Sequence, residues 1–318
     1  MPELEFGRLS YGAANVGNLY RALSDEEALA LLETAWDCGV RYFDTAPHYG
    51  LGLSERRLGA FLATKPRTEF LVSTKVGRLL RPHPAAAGRL DDEHNFFVPA
   101  ELQRVWDCTA DGIRRSLDES LERLGLDSVD VLYLHDPEEY DLDTALEQAV
   151  QALAELRAQG LVSAIGVGSK SVDALLAGVR TGQLDLVMVA GRFTLLEQPA
   201  LAELVPECRT RSVGVVNAAV FNSGLLATPH PPDDARYEYG TVPRETLDRA
   251  RSIAAVCARF RVELPAAALQ YPLREPLVRT VVVGGATPEQ IRQNSARMAA
   301  HIPAALWDSL RAEGLLTR

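Results

Sequence analysis

The sequence predicts an α/β protein of the (β/α)₈ TIM-barrel class, and three observations point to that fold. Short runs rich in β-branched and aromatic residues recur along the 318 residues, and helical patterns separate them. Several of these runs are almost continuously apolar, as strands buried on both faces are. Short connections indicate parallel strands joined by crossover helices. A closed barrel fits a chain of this length, and an open doubly wound sheet is the competing architecture.

The repeating units can be followed along the chain, each strand with its own helix. The expected strands are 9–13, 41–45, 70–75, 129–135, 162–168, 184–190, 212–218 and 278–284. A Ser, Thr or Asp ahead of a helical pattern is a helix-start signal, because its side chain caps a free backbone N–H. The expected helix starts are Ser24, Ser54, Thr109, Asp143 and Thr287.

Two stretches between the expected elements are irregular, 76–105 and 228–242, and both contain proline, glycine and polar residues. A long loop in a compact domain is usually functional. We expect these stretches and the C-terminal tail to determine substrate specificity. No Gly/Ser/Pro-rich linker divides the chain, so residues 1–318 are expected to form a single domain.

Composition and charge exclude several classes of function. The formal net charge of −10, without a basic stripe, argues against a nucleic-acid or anionic-membrane partner. The first twelve residues show no signal segment, and no apolar run is long enough to predict a membrane span. The 4 cysteines and 6 histidines are dispersed, without CxxC or HExxH, which favours a reducing cytoplasm over a disulfide or metal site. We expect a cytoplasmic protein that acts on a small molecule, in an oligomeric state that the sequence leaves open.

Polar residues end three successive strands of the expected barrel. Asp44 ends the second strand and is followed by Tyr49, Lys75 ends the third strand, and His135 ends the fourth. Active sites of this fold lie at the C-terminal ends of the strands. The sequence therefore predicts that a carboxylate, a phenol, an ammonium and an imidazole meet at one rim.

These four groups suit proton transfer to or from a carbonyl or alcohol oxygen. A tyrosine with a pKa of about 10 is a poor acid or base near neutrality, and we expect Lys75 to lower the pKa of Tyr49. Asp44 can supply the counter-charge that a buried lysine needs, and His135 can orient the substrate oxygen. Proton transfer without a metal still requires an electron acceptor, and a nicotinamide supplies one.

Two other classes of function remain open at this point. A lysine at the rim of a barrel can act as the nucleophile of a Schiff-base aldolase or lyase when its pKa is depressed. The same fold can also serve as a non-catalytic nucleotide-binding module. Asp44 beside Lys75 argues against the first class, and the complete set of four groups argues against the second.

Three motifs, FDTAPHYG (43–50), STK (73–75) and LHD (134–136), resemble the aldo-keto reductase superfamily in order and spacing. The likeness covers most of the chain and is strongest to the aldose 1-dehydrogenase branch, with its L-fucose, D-threo-aldose and L-galactose dehydrogenases and pyridoxal 4-dehydrogenase-like proteins. The resemblance implies oxidation of an aldose at its anomeric carbon to a lactone. Reduction of an aldehyde or ketone, or turnover of pyridoxal, would use the same groups. The implied catalytic residues are Asp44, Tyr49, Lys75 and His135.

The resemblance also implies a nicotinamide dinucleotide across the ends of strands five to eight. FNSGLL (221–226) would lie beside the pyrophosphate and GGATPEQIRQN (284–294) around the adenosine, where a helix start suits phosphate. Of the family's carboxamide-binding Ser-Asn pair only Ser169 remains, and Asn217 and Ala218 stand where many relatives have an aromatic residue. The expected cofactor-binding residues are Gly12, Ala14, Asp44, Ser169, Phe221, Asn222, Ser223, Gly224, Leu225, Gly285, Thr287, Gln290 and Asn294.

The residues just before the TPEQ-like stretch indicate which cofactor is used. Many NADP-using relatives carry Arg or Lys just before the TPEQ-like stretch, where a cation can pair with the 2′-phosphate. Gly285 and Ala286 stand there in this chain, which favours NAD over NADP. For Phe96, Phe97 and Trp106, a role in covering the barrel mouth is an equally good interpretation. The expected substrate-facing residues are Asn15, Tyr20, His48, Phe96 and Trp106.

Overall fold

The computed structural model describes residues 4–238 and 240–317. Residues 1–3, part of the segment in which no signal peptide is expected, lie outside the described residues, as do Tyr239 and Arg318. The strands are β1 (Leu9–Gly12), β2 (Tyr42–Asp44), β3 (Leu71–Val76), β4 (Arg78–Pro82), β5 (Leu90–Asp91), β6 (Phe96–Pro99), β7 (Leu102–Trp106), β8 (Val129–His135), β9 (Val162–Ser169), β10 (Leu186–Ala190), β11 (Gly214–Ala218), β12 (Arg236–Tyr237), β13 (Gly240–Thr241) and β14 (Val278–Val283). The helices are α1 (Asp25–Asp37), α2 (Leu53–Leu62), α3 (Ala110–Leu124), α4 (Leu142–Ala158), α5 (Val172–Arg180), α6 (Leu204–Arg211), α7 (Arg244–Arg259), α8 (Leu264–Gln270), α9 (Pro288–Ala299) and α10 (Ala304–Ala312).

Parallel strands close into a barrel in the order β1, β2, β3, β8, β9, β10, β11, β14 and back to β1. Closure is visible at β1, where Tyr11 pairs with both Val283 on β14 and Phe43 on β2. The (β/α)₈ prediction is confirmed, and each expected strand overlaps one barrel strand. The competing open sheet is wrong.

The barrel interior is packed with side chains. Tyr42, Tyr133 and Met188 lie in one buried cluster inside the strands, and a larger cluster fills the space between strands and helices. The interior is therefore a core rather than a pore, and the polar residues that end the strands lie above it. The single-domain organisation stays a prediction.

Three expected helix starts are confirmed by hydrogen bonds. The Ser24 hydroxyl accepts from the Glu27 amide in a capping box, the Thr109 hydroxyl accepts from Gly112, and the Thr287 hydroxyl accepts from Gln290. Each bond satisfies one of the backbone N–H groups that a helix leaves free at its N-terminus.

Two other expected helix starts are wrong. Ser54 lies inside α2, where its buried hydroxyl donates to the Ala13 carbonyl at 2.7 Å instead of capping the helix. The N-cap of α4 is Asp141, whose carboxylate accepts from the Thr144 amide at 2.9 Å, so the helix begins before Asp143. Both residues have side chains suited to capping. Ser54 is instead held by a tertiary contact with Ala13, and at α4 the neighbouring Asp141 takes the cap position.

The prediction of irregular structure for 76–105 and 228–242 is also wrong. The first stretch contains β4 paired with β7 and β5 paired with β6, and the second contains β12 paired with β13. These antiparallel strands are short, and two of them end in proline, Pro82 and Pro99. In the sequence, such prolines indicate an interruption of regular secondary structure. Proline is tolerated at such ends because no ladder hydrogen bond is needed there. The paired strands give the segment beside the rim a defined shape.

Among the helices in the described part of the chain, none is long and apolar enough to cross a membrane.

Candidate active site

Asp44, Lys75 and Tyr49 meet at the C-terminal rim of the barrel. The Lys75 ammonium donates to Asp44 Oδ2 at 2.6 Å, to the Thr45 carbonyl at 2.9 Å and to the Tyr49 hydroxyl at 3.1 Å. Asp44 and Lys75 are almost fully buried, at 3% and 2% exposure. A buried ammonium is stable only with such partners, so the three contacts fix the position of Lys75 beside the phenol.

The turn that carries Tyr49 depends on a glycine. Gly50 has φ +62°, and a Cβ there would lie 2.1 Å from the Gly17 carbonyl oxygen. Any other residue would push this turn away from the segment beneath it. The close contact holds Tyr49 over the rim between β2 and α2.

His135 approaches the same phenol from the end of β8. Its ring centroid lies 6.0 Å from that of Tyr49, edge to face at 88°. The structure therefore brings all four expected catalytic residues together. Burial, with Arg78 and Lys75 nearby, lowers the pKa of His135 well below its usual 6.5. The imidazole is neutral near pH 7 and can donate or accept a hydrogen bond at the substrate oxygen.

Lys75 lowers the pKa of Tyr49, as expected, but a net decrease does not follow. Burial raises its pKa above the ordinary 10.0, and Lys75 offsets only part of that increase. The desolvation cost of a phenolate exceeds the benefit of one neighbouring cation. For Lys75, burial acts to lower the pKa, but Asp44 and Tyr49 together raise it above 10.5. The ammonium is thus retained, as the sequence predicts.

A buried hydrogen-bond chain below Asp44 was missed from the sequence. The Ser73 hydroxyl donates to Asp44 Oδ1 at 2.7 Å, and the Tyr42 hydroxyl donates to Ser73 at 2.8 Å. Both carboxylate oxygens of Asp44 therefore have partners. Ser73 lies two residues before Lys75 on the same strand face, and that spacing could have indicated it.

Two of the expected substrate-facing residues lie next to the catalytic group. The His48 ring centroid is 5.7 Å from that of His135 and 6.0 Å from that of Tyr49. The Phe96 ring centroid lies 6.2 Å from that of Tyr49 and 5.5 Å from that of His48. His48 Nδ1 is buried without a hydrogen-bond partner, so a ligand or water at this point would satisfy it.

The other three expected substrate residues make their contacts elsewhere. Trp106 stacks on Tyr140 at 5.7 Å and lies under the Arg78 guanidinium at 4.3 Å. Tyr20 is 39% exposed, with the Arg236 guanidinium 5.8 Å from its ring. Asn15 lies against Gly284 at the end of β14, where a Cβ on the glycine would be 2.5 Å from the Asn15 Oδ1. Trp106 and Tyr20 therefore border the mouth, and Asn15 lies on the side of the expected adenosine site.

Unsatisfied acceptors mark the rim above β8 to β11. Glu138 Oε2, Asn217 Oδ1 and Asn222 Oδ1 are buried without a hydrogen-bond partner. The Ser169 hydroxyl donates to Glu138 and accepts from the Ser171 amide at 2.7 Å. A buried acceptor without a donor costs about 1–3 kcal/mol. The carboxamide and the ribose hydroxyls of a nicotinamide nucleotide are donors, so these residues fit such a cofactor.

The expected phosphate and adenosine contacts are partly occupied within the protein. The Ala286 amide donates to Gln290 Oε1 at 2.8 Å, and the Gln290 amide donates to Thr287 Oγ1 at 3.2 Å. These two bonds leave fewer free amides for a phosphate than the helix start suggests. Asn294 is buried beside a small cavity that Gly284 also lines.

The remaining expected cofactor residues differ in what they expose. Asn222, Ser223 and Gly224 all have positive φ, and Ser223 and Gly224 are exposed at the tip of the turn. Leu225 is fully buried in the core, so its side chain is unavailable to a cofactor. Phe221 packs partly against that core. Gly12 is the last residue of β1 and pairs with Asp44 on β2. Ala14 follows just after the strand.

Charged side chains missed from the sequence also reach this rim. Arg78 donates to Asp136 Oδ2 at 3.0 Å and to Glu139 Oε2 at 2.8 Å. Asp136 directly follows His135, and its position after a barrel strand could have indicated it. Arg21 donates to the Ala286 carbonyl at 3.0 Å, beside the expected adenosine site. That contact joins residues far apart in sequence and left no local signal.

Comparison with known proteins identifies the family. A family model described as "Aldo/keto reductase family" matches residues 8–312. The chain belongs to the aldo-keto reductase family. It is therefore an oxidoreductase, and its relatives imply a nicotinamide cofactor.

Individual relatives cover almost the whole chain. A D-threo-aldose 1-dehydrogenase from a Pseudomonas species is 61% identical over 303 residues, which is 95% of this chain and 92% of that protein. A pyridoxal 4-dehydrogenase from Microbacterium luteolum is 37% identical, over 97% of this chain and 94% of that protein. An L-galactose dehydrogenase from Arabidopsis thaliana is 29% identical over 92% and 84%.

Solved structures show the same fold. An aldo-keto reductase from Bacillus halodurans, in its holo form, superposes with a TM-score of 0.78 at 22% identity and covers 99% of this chain and 94% of its own. A glycerol dehydrogenase from Gluconobacter oxydans also gives 0.78, at 19% identity over 100% and 96%.

Proposed function

We propose that this protein oxidises an aldose at its anomeric carbon to the lactone, with NAD as its cofactor. The observation that carries the proposal is the Tyr49 hydroxyl 3.1 Å from the Lys75 ammonium, with the neutral ring of His135 beside it. The 61% identity to a D-threo-aldose 1-dehydrogenase supports an aldose as the substrate.

The proposed catalytic residues divide the proton chemistry among them. Tyr49 accepts the proton of the anomeric hydroxyl, and Lys75 stabilises the phenolate that this requires. Asp44 keeps Lys75 charged, and His135 orients the sugar oxygen by a hydrogen bond. A bound nicotinamide supplies the hydride acceptor. General acid–base catalysis of this kind contributes about 10²- to 10⁴-fold to the rate.

The preference for NAD rests on the charges near Ala286. The Gly285–Ala286 pair offers no cation of its own. Arg21 is engaged with the Ala286 carbonyl and with Glu27 at 3.5 Å, and Arg292 lies 4.0 Å from Glu289. A 2′-phosphate would have to compete with these carboxylates, whereas the hydroxyl of NAD would not.

Oxidation of pyridoxal is the second candidate. The aromatic rings of His48 and Phe96 lie close to Tyr49, with ring centroids 6.0 and 6.2 Å from its own, which suits an aromatic pyridine substrate beside the phenol. A relative at 37% identity is a pyridoxal 4-dehydrogenase. Schiff-base chemistry is disfavoured, because the raised pKa of Lys75 keeps it as an ammonium that cannot attack a carbonyl.

The proposed function includes a cytoplasmic location and a small-molecule substrate. In the described part of the chain, all four cysteines are free, which supports a reducing compartment.

A substrate panel tests the proposal. D-arabinose, L-fucose, pyridoxal and a simple aldehyde are each incubated with NAD⁺ and NADP⁺, and the simple aldehyde and a sugar lactone with the reduced forms. Reduction of NAD⁺ is followed by absorbance. Turnover of an aldose with NAD⁺, and release of a lactone, is the expected result. Turnover of pyridoxal alone would establish the second candidate instead, and no turnover of any substrate would refute both.

A further inference from the structure

A carboxylate outside the proposed catalytic group lies beside His135. Asp136 Oδ2 is 3.4 Å from His135 Nε2 and accepts from Arg78 at 3.0 Å. The other oxygen, Oδ1, receives no hydrogen bond from the described residues. Asp136 therefore presents one free acceptor next to the imidazole that is proposed to orient the reacting oxygen.

The backbone and the neighbouring cation hold Asp136 in this place. The residue has a left-handed conformation, φ 43° and ψ 56°, which is uncommon for a residue other than glycine. Its amide donates to the Gly168 carbonyl on β9 at 2.9 Å. Arg78, at 6% exposure, is fixed by Glu139 at 2.8 Å and by the Trp106 ring. Strained residues with this much support are concentrated at functional sites.

We propose that Asp136 is a specificity-determining residue that accepts a hydrogen bond from the substrate hydroxyl at carbon 2, next to the reacting carbon. The inference rests on the proposed function, because it takes the reacting carbon to be the anomeric carbon of an aldose. That carbon has two neighbours in a cyclic sugar, the ring oxygen and carbon 2. An ionised carboxylate only accepts hydrogen bonds, and the ring oxygen has no hydrogen to donate. The hydroxyl at carbon 2 is therefore the partner that remains.

The spacing of the protein groups suits this substrate. Oxygens on neighbouring carbons of a sugar are close together, and the Asp136 carboxylate, which carries the free Oδ1, lies with its other oxygen 3.4 Å from His135 Nε2. His135 can therefore bind the anomeric oxygen while Asp136 binds its neighbour. Of the other two carboxylates nearby, Glu138 accepts from Ser169 on the side of the rim expected to hold the cofactor, and the Glu139 side chain is 53% exposed.

The test compares two sugars that differ only at carbon 2, D-arabinose and 2-deoxy-D-ribose. A hydrogen bond to a charged acceptor is worth about 10- to 100-fold in affinity, so the wild type should prefer D-arabinose in kcat/KM by about that factor. Asp136→Ala should bring the ratio close to one, mainly through KM for D-arabinose. Asp136→Asn, which keeps a weaker neutral acceptor, should give an intermediate ratio.

Glu139→Gln is the matched control, since it removes the other carboxylate on Arg78 and should leave the ratio unchanged. Quenching of tryptophan fluorescence by NADH shows that each variant is folded and binds its cofactor. If Asp136→Ala does not fold, the isosteric Asp136→Asn and the pH dependence of the wild type decide the question.

The pH dependence provides a second measurement. Burial raises the pKa of Asp136 to about 6 despite Arg78, with Glu139 and Glu138 adding to the increase. The charged or titratable groups that face it are Arg78 from β4, His135 from β8, Tyr49 from the turn before α2, and Glu138 and Glu139 from the turn after β8. Because both sugars meet the same neighbours, their ratio isolates Asp136. It should fall as the pH is lowered through about 6 in the wild type and stay flat in Asp136→Asn.

Equal losses on both sugars in Asp136→Ala, or a wild-type ratio near one, would overturn the inference and leave the proposed function intact. A wild type that oxidises neither sugar nor L-fucose would overturn both.

Discussion

The Lys75 ammonium donates a hydrogen bond to the Tyr49 phenol oxygen across 3.1 Å, although the two residues follow different barrel strands. Lys75 extends from β3, and Tyr49 lies in the turn after β2. Burial makes the phenol a weaker acid, and the ammonium partly reverses that effect. The contact therefore favours the phenolate form of Tyr49, against the effect of burial.

Removing the Tyr49 hydroxyl tests its role directly. Tyr49→Phe keeps the ring and its packing on Phe96 but loses the proton acceptor, so kcat should fall by about 10²- to 10⁴-fold. The dissociation constant of NADH, measured by fluorescence quenching, should be nearly unchanged. Tyr271→Phe, another buried tyrosine in the helical layer, is the control and should retain activity. Retained turnover in Tyr49→Phe would refute the proposed role.

The Asp44–Lys75 ion pair should couple strongly in a double-mutant cycle. Either Asp44→Asn or Lys75→Met leaves one charge buried without its partner, which should lower the free energy of unfolding by about 3–5 kcal/mol. The double variant removes both charges and should lose much less than the sum of the two. Urea unfolding measures the cycle, and all three variants should have strongly reduced turnover. Additive losses would show that the pair does not act as a unit.

The sequence predicted the barrel and the meeting of the four rim residues because both depend on local pattern. Each strand carries its own apolar run, and Asp44, Lys75 and His135 each end a strand, so the fold alone places them at one rim. The balance between charge and burial that sets a pKa, and contacts between distant residues, could not be predicted in this way. The pKa of Tyr49 depends on how completely the turn and Phe96 exclude water, and the contact of Arg21 with Ala286 joins residues 265 positions apart.

Cofactor preference should respond to a cation at position 286. Wild-type enzyme should show a kcat/KM for NAD⁺ at least about tenfold above that for NADP⁺, since Arg21 and Arg292, the cations described near Ala286, are engaged with Glu27 and Glu289. Ala286→Arg adds one while keeping the backbone bonds to Gln290 and Arg21. The efficiency with NADP⁺ should then rise by about 10- to 100-fold. Ala286→Gln has a long side chain without the charge and should not raise it, and a wild type that prefers NADP⁺ would contradict the assignment.

The pH profile of oxidation should be governed by Tyr49 and shifted by Lys75. Because burial raises the pKa of Tyr49 above 10.0, the phenolate fraction should grow by about tenfold per pH unit near neutrality, and kcat/KM for the aldose should rise with it. His135 has a pKa well below 6.5 and should add no limb between about pH 7 and pH 9. Lys75→Met removes the cation that lowers the pKa of Tyr49, so its profile should move to higher pH, whereas Lys75→Arg keeps the charge and should stay closer to the wild type. A plateau below about pH 9, or the same profile in Lys75→Met, would mean that another group accepts the proton.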